Sequence, residues 1–179
     1  MSVQSTAMET AYLMLGSNLG DRLQNLRQAL ELIPLKAGHV RDISPVYETE
    51  PWNARKDLPF LNMAVCIETE LCPTRLLSEL LGIEKEMGRI RDGSINGPRP
   101  IDIDILLYGK DIIDVPGLQI PHPRMHLRRF VLVPLNEIAA AVVHPGFGKS
   151  VNYLLGDCSD QLPVSHYKDL KSAPAGNEL

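Results

Sequence analysis

The sequence has little of what several functional classes require. Its three cysteines, Cys66, Cys72 and Cys158, form no CxxC pair. That removes the usual basis for a disulfide framework or a cysteine zinc site, and reads as reduced thiols. No apolar run approaches the ~20 residues needed to span a bilayer. Met1–Thr10 is polar, without the apolar core of a signal peptide. A cytoplasmic location with no membrane partner is the expectation, an organellar address staying open. A basic excess is missing too. The formal net charge of −4 argues against tracking the phosphates of a nucleic acid, though not against a local basic site for a small phosphorylated ligand. Internal repeats and long linkers are absent.

What remains has the balance of a globular domain, with 44% hydrophobic and 22% charged residues in 179. That length buries a core without staples. Residues 11–160 read as one domain and a monomer is expected, with 1–10 a flexible leader and 161–179 a flexible tail whose last stretch, Lys171–Leu179, is of low complexity.

The apolar run Ala11–Leu15 predicts a strand. Leu23, Leu26, Leu30 and Ile33 recur at helical steps, with Pro34 and Gly38 as stops. Val40–Tyr47 reads as a strand with Pro45 at an edge or bulge. Leu61–Ile67 alternates, sending Leu61, Met63, Val65 and Ile67 to one face and Asn62, Ala64, Cys66 and Glu68 to the other. Pro73 opens a second helix whose stripe is Leu76, Leu80, Ile83 and Met87. Gly88–Pro100 is a basic, glycine-rich loop, and Asp102–Tyr108 a further strand. A last helix is expected over Val131–Val143. The order strand, helix, strand, strand, helix, strand implies an α+β fold of ferredoxin-like type: an antiparallel sheet with helices mainly on one face.

Chemistry concentrates in Asp102-Ile103-Asp104. Residues two apart on a strand share a face, so both carboxylates project together while Ile103, Ile105 and Leu107 turn to the core. Two adjacent carboxylates repel and favour a cation between them. Hard oxygen ligands of this kind suit Mg²⁺ shared with phosphate oxygens. A solvated acidic pair is the plainer alternative. Just before it lie Gly88-Arg89-Ile90-Arg91 and Gly97-Pro98-Arg99-Pro100, forks that match phosphate oxygens and stabilise charge on a transferring phosphoryl group. Glu84 borders the buried helix stripe, placed to hydrogen-bond a nucleotide, to orient an arginine, or to form a structural ion pair. His122 and His126 are four apart, but Pro123 lies between them and no HExxH accompanies them, so phosphate contact is the better reading than zinc. Phe60, Phe130 and Trp52 are rings suited to stacking a flat heterocycle or to the core. Gly148-Lys149-Ser150 resembles the end of a phosphate-binding loop but lacks its earlier glycine and its strand–loop–helix context.

Together these residues resemble the 6-hydroxymethyl-7,8-dihydropterin pyrophosphokinase family of folate biosynthesis. The likeness runs in order through Leu15-Gly16-Ser17-Asn18-Leu19-Gly20-Asp21, Tyr47-Glu48-Thr49, Phe60-Leu61-Asn62, Glu84 with Gly88-Arg89, Gly97-Pro98-Arg99 leading into Asp102-Ile103-Asp104, Pro121-His122-Pro123, and Arg128 with Phe130. The resemblance implies an ATP-dependent transferase that uses two Mg²⁺ ions, releases AMP and forms a pterin diphosphate. It places Asp102 and Asp104 on the metals. Glu84, Arg89, Arg99, His122 and Arg128 fall on ATP, with Arg89 and Arg99 as the catalytic clamp. Phe60 and Phe130 sandwich the pterin, whose polar edge is read by Asn62 and by backbone near Thr49 and Trp52. Ile95 stands where the family usually has a basic residue, Asn96 where some members carry a ring, and Phe60 where a tyrosine is familiar. A nucleotidyltransferase, which would leave AMP on its acceptor, and a non-catalytic ligand-binding module are the alternatives.

Overall fold

The computed structural model describes residues 7–50, 58–89 and 97–170. Trp52, Ile90, Arg91, Ile95, Asn96 and the stretch from 171 to 179 lie outside them. One antiparallel sheet organises the described chain. Its centre is β1 (Glu9–Ser17), which runs with β4 (Phe60–Thr69) from Glu9↔Thr69 to Ser17↔Leu61. β5 (Asp102–Tyr108) flanks β1, while β2 (His39–Ile43) and β3 (Val46–Thr49) take successive stretches of β4. The order β5-β1-β4-β3 is that of the expected ferredoxin-like sheet, extended outside β3 by β10 (Val164–Lys168).

Alternation along the strands makes two cores. Leu13, Leu15, Leu61, Met63, Val65 and Ile67 meet Leu26 and Ile33 of α1 (Arg22–Lys36) and Leu76, Leu80 and Ile83 of α2 (Pro73–Glu86). The opposite face carries Met14, Ala64 and Leu106 against Val131, Leu132 and Leu135 of α3 (Arg129–Ala139) and Leu154 of α4 (Val151–Gly156). The two longest helices thus share one face, and the shorter pair covers part of the other.

Several boundaries differ from the sequence reading, each for a local reason. The strand expected over Val40–Tyr47 is two strands. At the break, the Ser44 hydroxyl accepts from the Ala64 backbone N–H at 2.9 Å, and Pro45 brings no N–H of its own. α1 continues through Pro34 to Lys36, because a proline near the last turn forfeits one hydrogen bond while the Ile33 carbonyl still receives Ala37 and Gly38. A register shift against Tyr12 and Leu13 places a bulge in β5, so Leu107 joins Leu106 under α3 rather than following Ile103 and Ile105. α3 begins at Arg129 and stops at Ala139. Val143 instead opens a hairpin, β8 (Val143–His144) with β9 (Lys149–Ser150), where Val151 and Asn152 donate to the Val142 and Ala140 carbonyls. Gly148-Lys149-Ser150 is therefore turn, strand and the cap of α4. Residues 164–168, placed in a flexible tail by composition, pair with β3, and Glu9 and Thr10 of the leader already belong to β1.

After β5 the chain forms a small hairpin, β6 (Ile113–Val115) and β7 (Leu118–Ile120), turned at Gly117 with φ +83°. A cis Ile120–Pro121 peptide and a 3₁₀ turn over Met125–Leu127 lead into α3. Among the described residues no helix is long and apolar enough to cross a membrane.

Candidate active site

Pairing register brings four strands to one level on the face that α3 partly covers. Tyr47 of β3 lies opposite Asn62 of β4, Asn62 opposite Gly16 of β1, and Gly16 opposite Asp102 of β5. One step along, Ala64, Met14 and Asp104 form the next row. Asn62 is buried and its amide donates to the Thr49 hydroxyl at 2.6 Å. Gly16 is required by close approach, since a Cβ there would stand 2.9 Å from the Asn62 Oδ1. A side chain at position 16 would push Asn62 out of its place in the row.

The carboxylates of Asp102 and Asp104 lie on this same face of β5, as alternation requires. Arg89, just past the end of α2, pairs with Asp102 and also with Glu84 at 2.7 Å. Glu84 is 2% exposed and its Oε1 accepts from the Ile103 backbone N–H at 2.9 Å. Of the three readings open for Glu84, this contact fits two, orientation of an arginine and a structural ion pair. Burial works against the Arg89 charge, yet Asp102 and Glu84 hold its pKa above the ordinary value. Arg99 approaches more loosely, with Nε 3.5 Å from Asp102 Oδ2, and its guanidinium lies 5.7 Å from the centre of the Phe60 ring. Burial first, then the charges of Asp102 and Glu84, raise the Asp104 carboxyl to about 7, against the pull of Arg128 and Arg89. Among the described residues no three His, Cys, Asp or Glu side chains are grouped to hold a metal alone. The pair can supply only part of a coordination shell.

His122 lies beyond the outer edge of β5, its backbone N–H on the Leu106 carbonyl at 2.9 Å. Burial, followed by Arg128 and Arg124, lowers its pKa to about 4, so the ring is neutral. Burial and Arg124 likewise lower Arg128, opposed by Asp104 and Asp102. Arg128 stands 5.6 Å from the centre of the Phe130 ring, at the start of α3. A cavity of about 430 Å³ runs along this edge, with Asp104 and His122 at one side and Leu77, Ile105, Leu118 and Gln119 around it.

Residues 12–140 match the family model described as 7,8-dihydro-6-hydroxymethylpterin-pyrophosphokinase. The chain belongs to that family. A 2-amino-4-hydroxy-6-hydroxymethyldihydropteridine pyrophosphokinase of Porphyromonas gingivalis is 44% identical over 135 residues, 74% of this chain and 92% of that one. The Bacillus subtilis protein of the same name is 47% identical over 133 residues, covering 74% and 79%. The folic acid synthesis protein fol1 of Pneumocystis carinii is 44% identical over 151 residues, 84% of this chain but 20% of that longer protein. Plasmodium falciparum HPPK-DHPS with pteroate superposes with a TM-score of 0.72 at 16% identity over 84% of this chain and 44% of that one, a likeness of fold. The protein is thus a pyrophosphokinase by family, a transferase.

The structure gathers most of the residues singled out from sequence into four groups of neighbours. Thr49 touches Asn62; Phe60, Arg99, Asp102, Arg89 and Glu84 follow one another; Asp104 and His122 share a cavity; Arg128 and Phe130 pair at the helix start. Trp52 lies outside the described residues. Three roles were left unassigned from sequence. Asn18 anchors Arg99 by its Oδ1, which accepts from the Arg99 backbone N–H at 2.8 Å, and by its own N–H on the Arg99 carbonyl at 3.2 Å. Tyr47 fills the end of the cross-strand row and donates to Glu137 of α3 at 2.9 Å. The β6–β7 hairpin walls the cavity; Pro116-Gly117 between short apolar runs was its signal.

Proposed function

We propose that the protein transfers the terminal diphosphate of ATP to the hydroxymethyl oxygen of 6-hydroxymethyl-7,8-dihydropterin, in folate biosynthesis. The observation carrying this reading is the cross-strand row itself. It sets a buried amide, Asn62, and an aspartate under two arginines, Asp102, at one level of the same face, separated by a glycine.

The hydroxyl oxygen forms a bond to the β-phosphorus, the bond from that phosphorus to the α-phosphate oxygen breaks, AMP leaves and the hydroxyl proton passes to water. Asn62 and Thr49 present amide and hydroxyl to the polar edge of the pterin, with Phe60 and Phe130 on its faces. The cavity at the edge of β5 takes the nucleotide, Leu77, Ile105 and Leu118 offering apolar surface to a base and His122 a neutral ring. Arg89, Arg99 and Arg128 face the phosphates, and Arg99 stabilises charge that grows on the transferring group. Asp102 and Asp104 fit Mg²⁺: a carboxyl kept from ionising by burial and by its anionic neighbours is relieved by a hard cation. When bound, two such ions neutralise phosphate charge and lower the pKa of the attacking hydroxyl.

Incubation with ATP, Mg²⁺ and the reduced hydroxymethyl-pterin tests the assignment, with products followed by phosphorus NMR. AMP and a pterin diphosphate are expected. Pyrophosphate together with an adenylylated acceptor would replace this reading by nucleotidyl transfer.

A further inference from the structure

β10 is an odd strand for this fold. None of its five residues belongs to the buried set of either core, and four of the five are exposed. It also follows the family-model match, which ends at residue 140. Yet it pairs with β3 as Val164↔Thr49, Ser165↔Glu48 and His166↔Tyr47 before a bulge carries Lys168 to Val46. β3 is four residues long and meets β4 through three pairs only, Tyr47↔Asn62, Glu48↔Leu61 and Thr49↔Phe60. Without β10 it would be a short edge strand, the kind of element that frays first.

From this we infer that β10 is a positioning strand for the pterin-reading edge of the site, holding β3 so that the Thr49 hydroxyl stays on the Asn62 amide. The inference rests on the pterin reading of Asn62 given above. Three contacts favour position over bulk stability. Val164 lies directly opposite Thr49, at the level of the 2.6 Å Asn62–Thr49 bond. The His166 and Tyr47 rings meet edge to face with centroids 6.0 Å apart, and Tyr47 is the residue opposite Asn62. Tyr47 in turn donates to Glu137 at 2.9 Å, tying β3 to α3, the helix whose second residue is Phe130. β3 is therefore held by β10 along its outer edge and by α3 over its face at the level of the site, while the carboxylates and the nucleotide cavity lie at the far edge of the sheet, on β5.

The test uses the full chain carrying Ser165→Pro together with His166→Pro. Hydrogen-bonded and non-hydrogen-bonded pairs alternate along an antiparallel ladder, so one of two adjacent prolines must remove a ladder bond. Leaving a buried amide unpaired weakens binding about tenfold, so the dissociation constant for the pterin should rise by that factor while that for ATP with Mg²⁺ stays within about twofold. The Asn62 side-chain amide resonance of the ligand-free protein should shift as well. Unchanged pterin affinity, or equal loss of both affinities, would overturn the inference. Should the unaltered protein bind no pterin at all, the reading of the site fails. The Asn62 resonance then still decides the positioning, and an unmoved resonance refutes it.

Discussion

Single residues decide how the charge in this site is held. Asp104 is raised to about 7 by burial and by Asp102 and Glu84, from the ordinary 3.8. A carboxyl whose folded pKa lies above its unfolded value favours the fold fully below about 3.8, and that contribution is lost as pH rises through 7. Asp104→Asn should therefore be more stable than the parent protein at pH 8 in EDTA, the gap closing towards pH 4, while turnover is abolished. Urea unfolding at both pH values checks this, and a less stable variant at pH 8 would contradict it. His122 has the opposite slope. With its pKa lowered to about 4 from 6.5, the unfolded chain binds the extra proton, so its contribution to stability grows as pH rises between those values. Removing Asp104 should expose that rise as a positive slope between pH 4 and 6.5. Asn18 belongs to this scale too. Asn18→Ala strips the acceptor from the Arg99 backbone N–H, a loss of about 1–3 kcal/mol if the donor stays unpaired. Turnover should fall about tenfold as the arginine loosens, with pterin affinity within about twofold, the split expected when a group serves the transition state. Steady-state kinetics on both substrates would show a purely pterin-side defect if Arg99 has no such role.

At the scale of elements, alternation was legible and interruptions were not. Leu61, Met63, Val65 and Ile67 announced their face because a strand buried on one side must repeat every second residue. The same rule put Asp102 and Asp104 together and Asn62 on the opposite face from the leucine set. It failed at Leu107, where a bulge adds one residue that no local pattern marks. It failed again at β10, whose exposed residues carry no core signal and whose partner is a strand over a hundred residues earlier. The junction of α2 with β5 shows what pattern alone misses. Glu84 looked like a border residue; in the fold it is the joint, receiving the Ile103 N–H and facing Arg89 at once. Glu84→Ala should destabilise the protein by about 3 kcal/mol, the low end for breaking a buried ion pair, since Asp102 still faces Arg89. Glu84→Gln keeps the acceptor for Ile103 and should lose less. Denaturant unfolding of the two variants separates backbone capping from charge pairing, and a loss under about 1 kcal/mol, the scale of an exposed pair, would contradict the joint.

For the whole molecule, the sheet is the device that brings distant sequence together. Asn18 and Arg99 touch across 81 positions, and Tyr47 and Glu137 across 90. The ferredoxin-like order accounts for this, because it sets β1 beside both β4 and β5 and so joins the start of the chain to its middle. One consequence is that the site is divided. Thr49 and Asn62 sit on β3 and β4, whereas the carboxylates and the cavity sit on β5 at the edge, with Gly16 between. Nucleotide and metal should then act on stability as one ligand, because the repulsion between Asp102 and Asp104 and the charge of the phosphates are relieved by the same cations. ATP with Mg²⁺ at a hundred times its dissociation constant stabilises by about 2.7 kcal/mol, which for a chain of this size raises the melting midpoint by about 5–10 °C. In EDTA the same ATP meets an uncompensated acidic pair, and the shift should fall to under a quarter. Asp104→Asn should show a small shift in both conditions. Equal shifts with and without Mg²⁺ in the parent protein would mean that the nucleotide binds away from β5, and the division of the site described here would not hold.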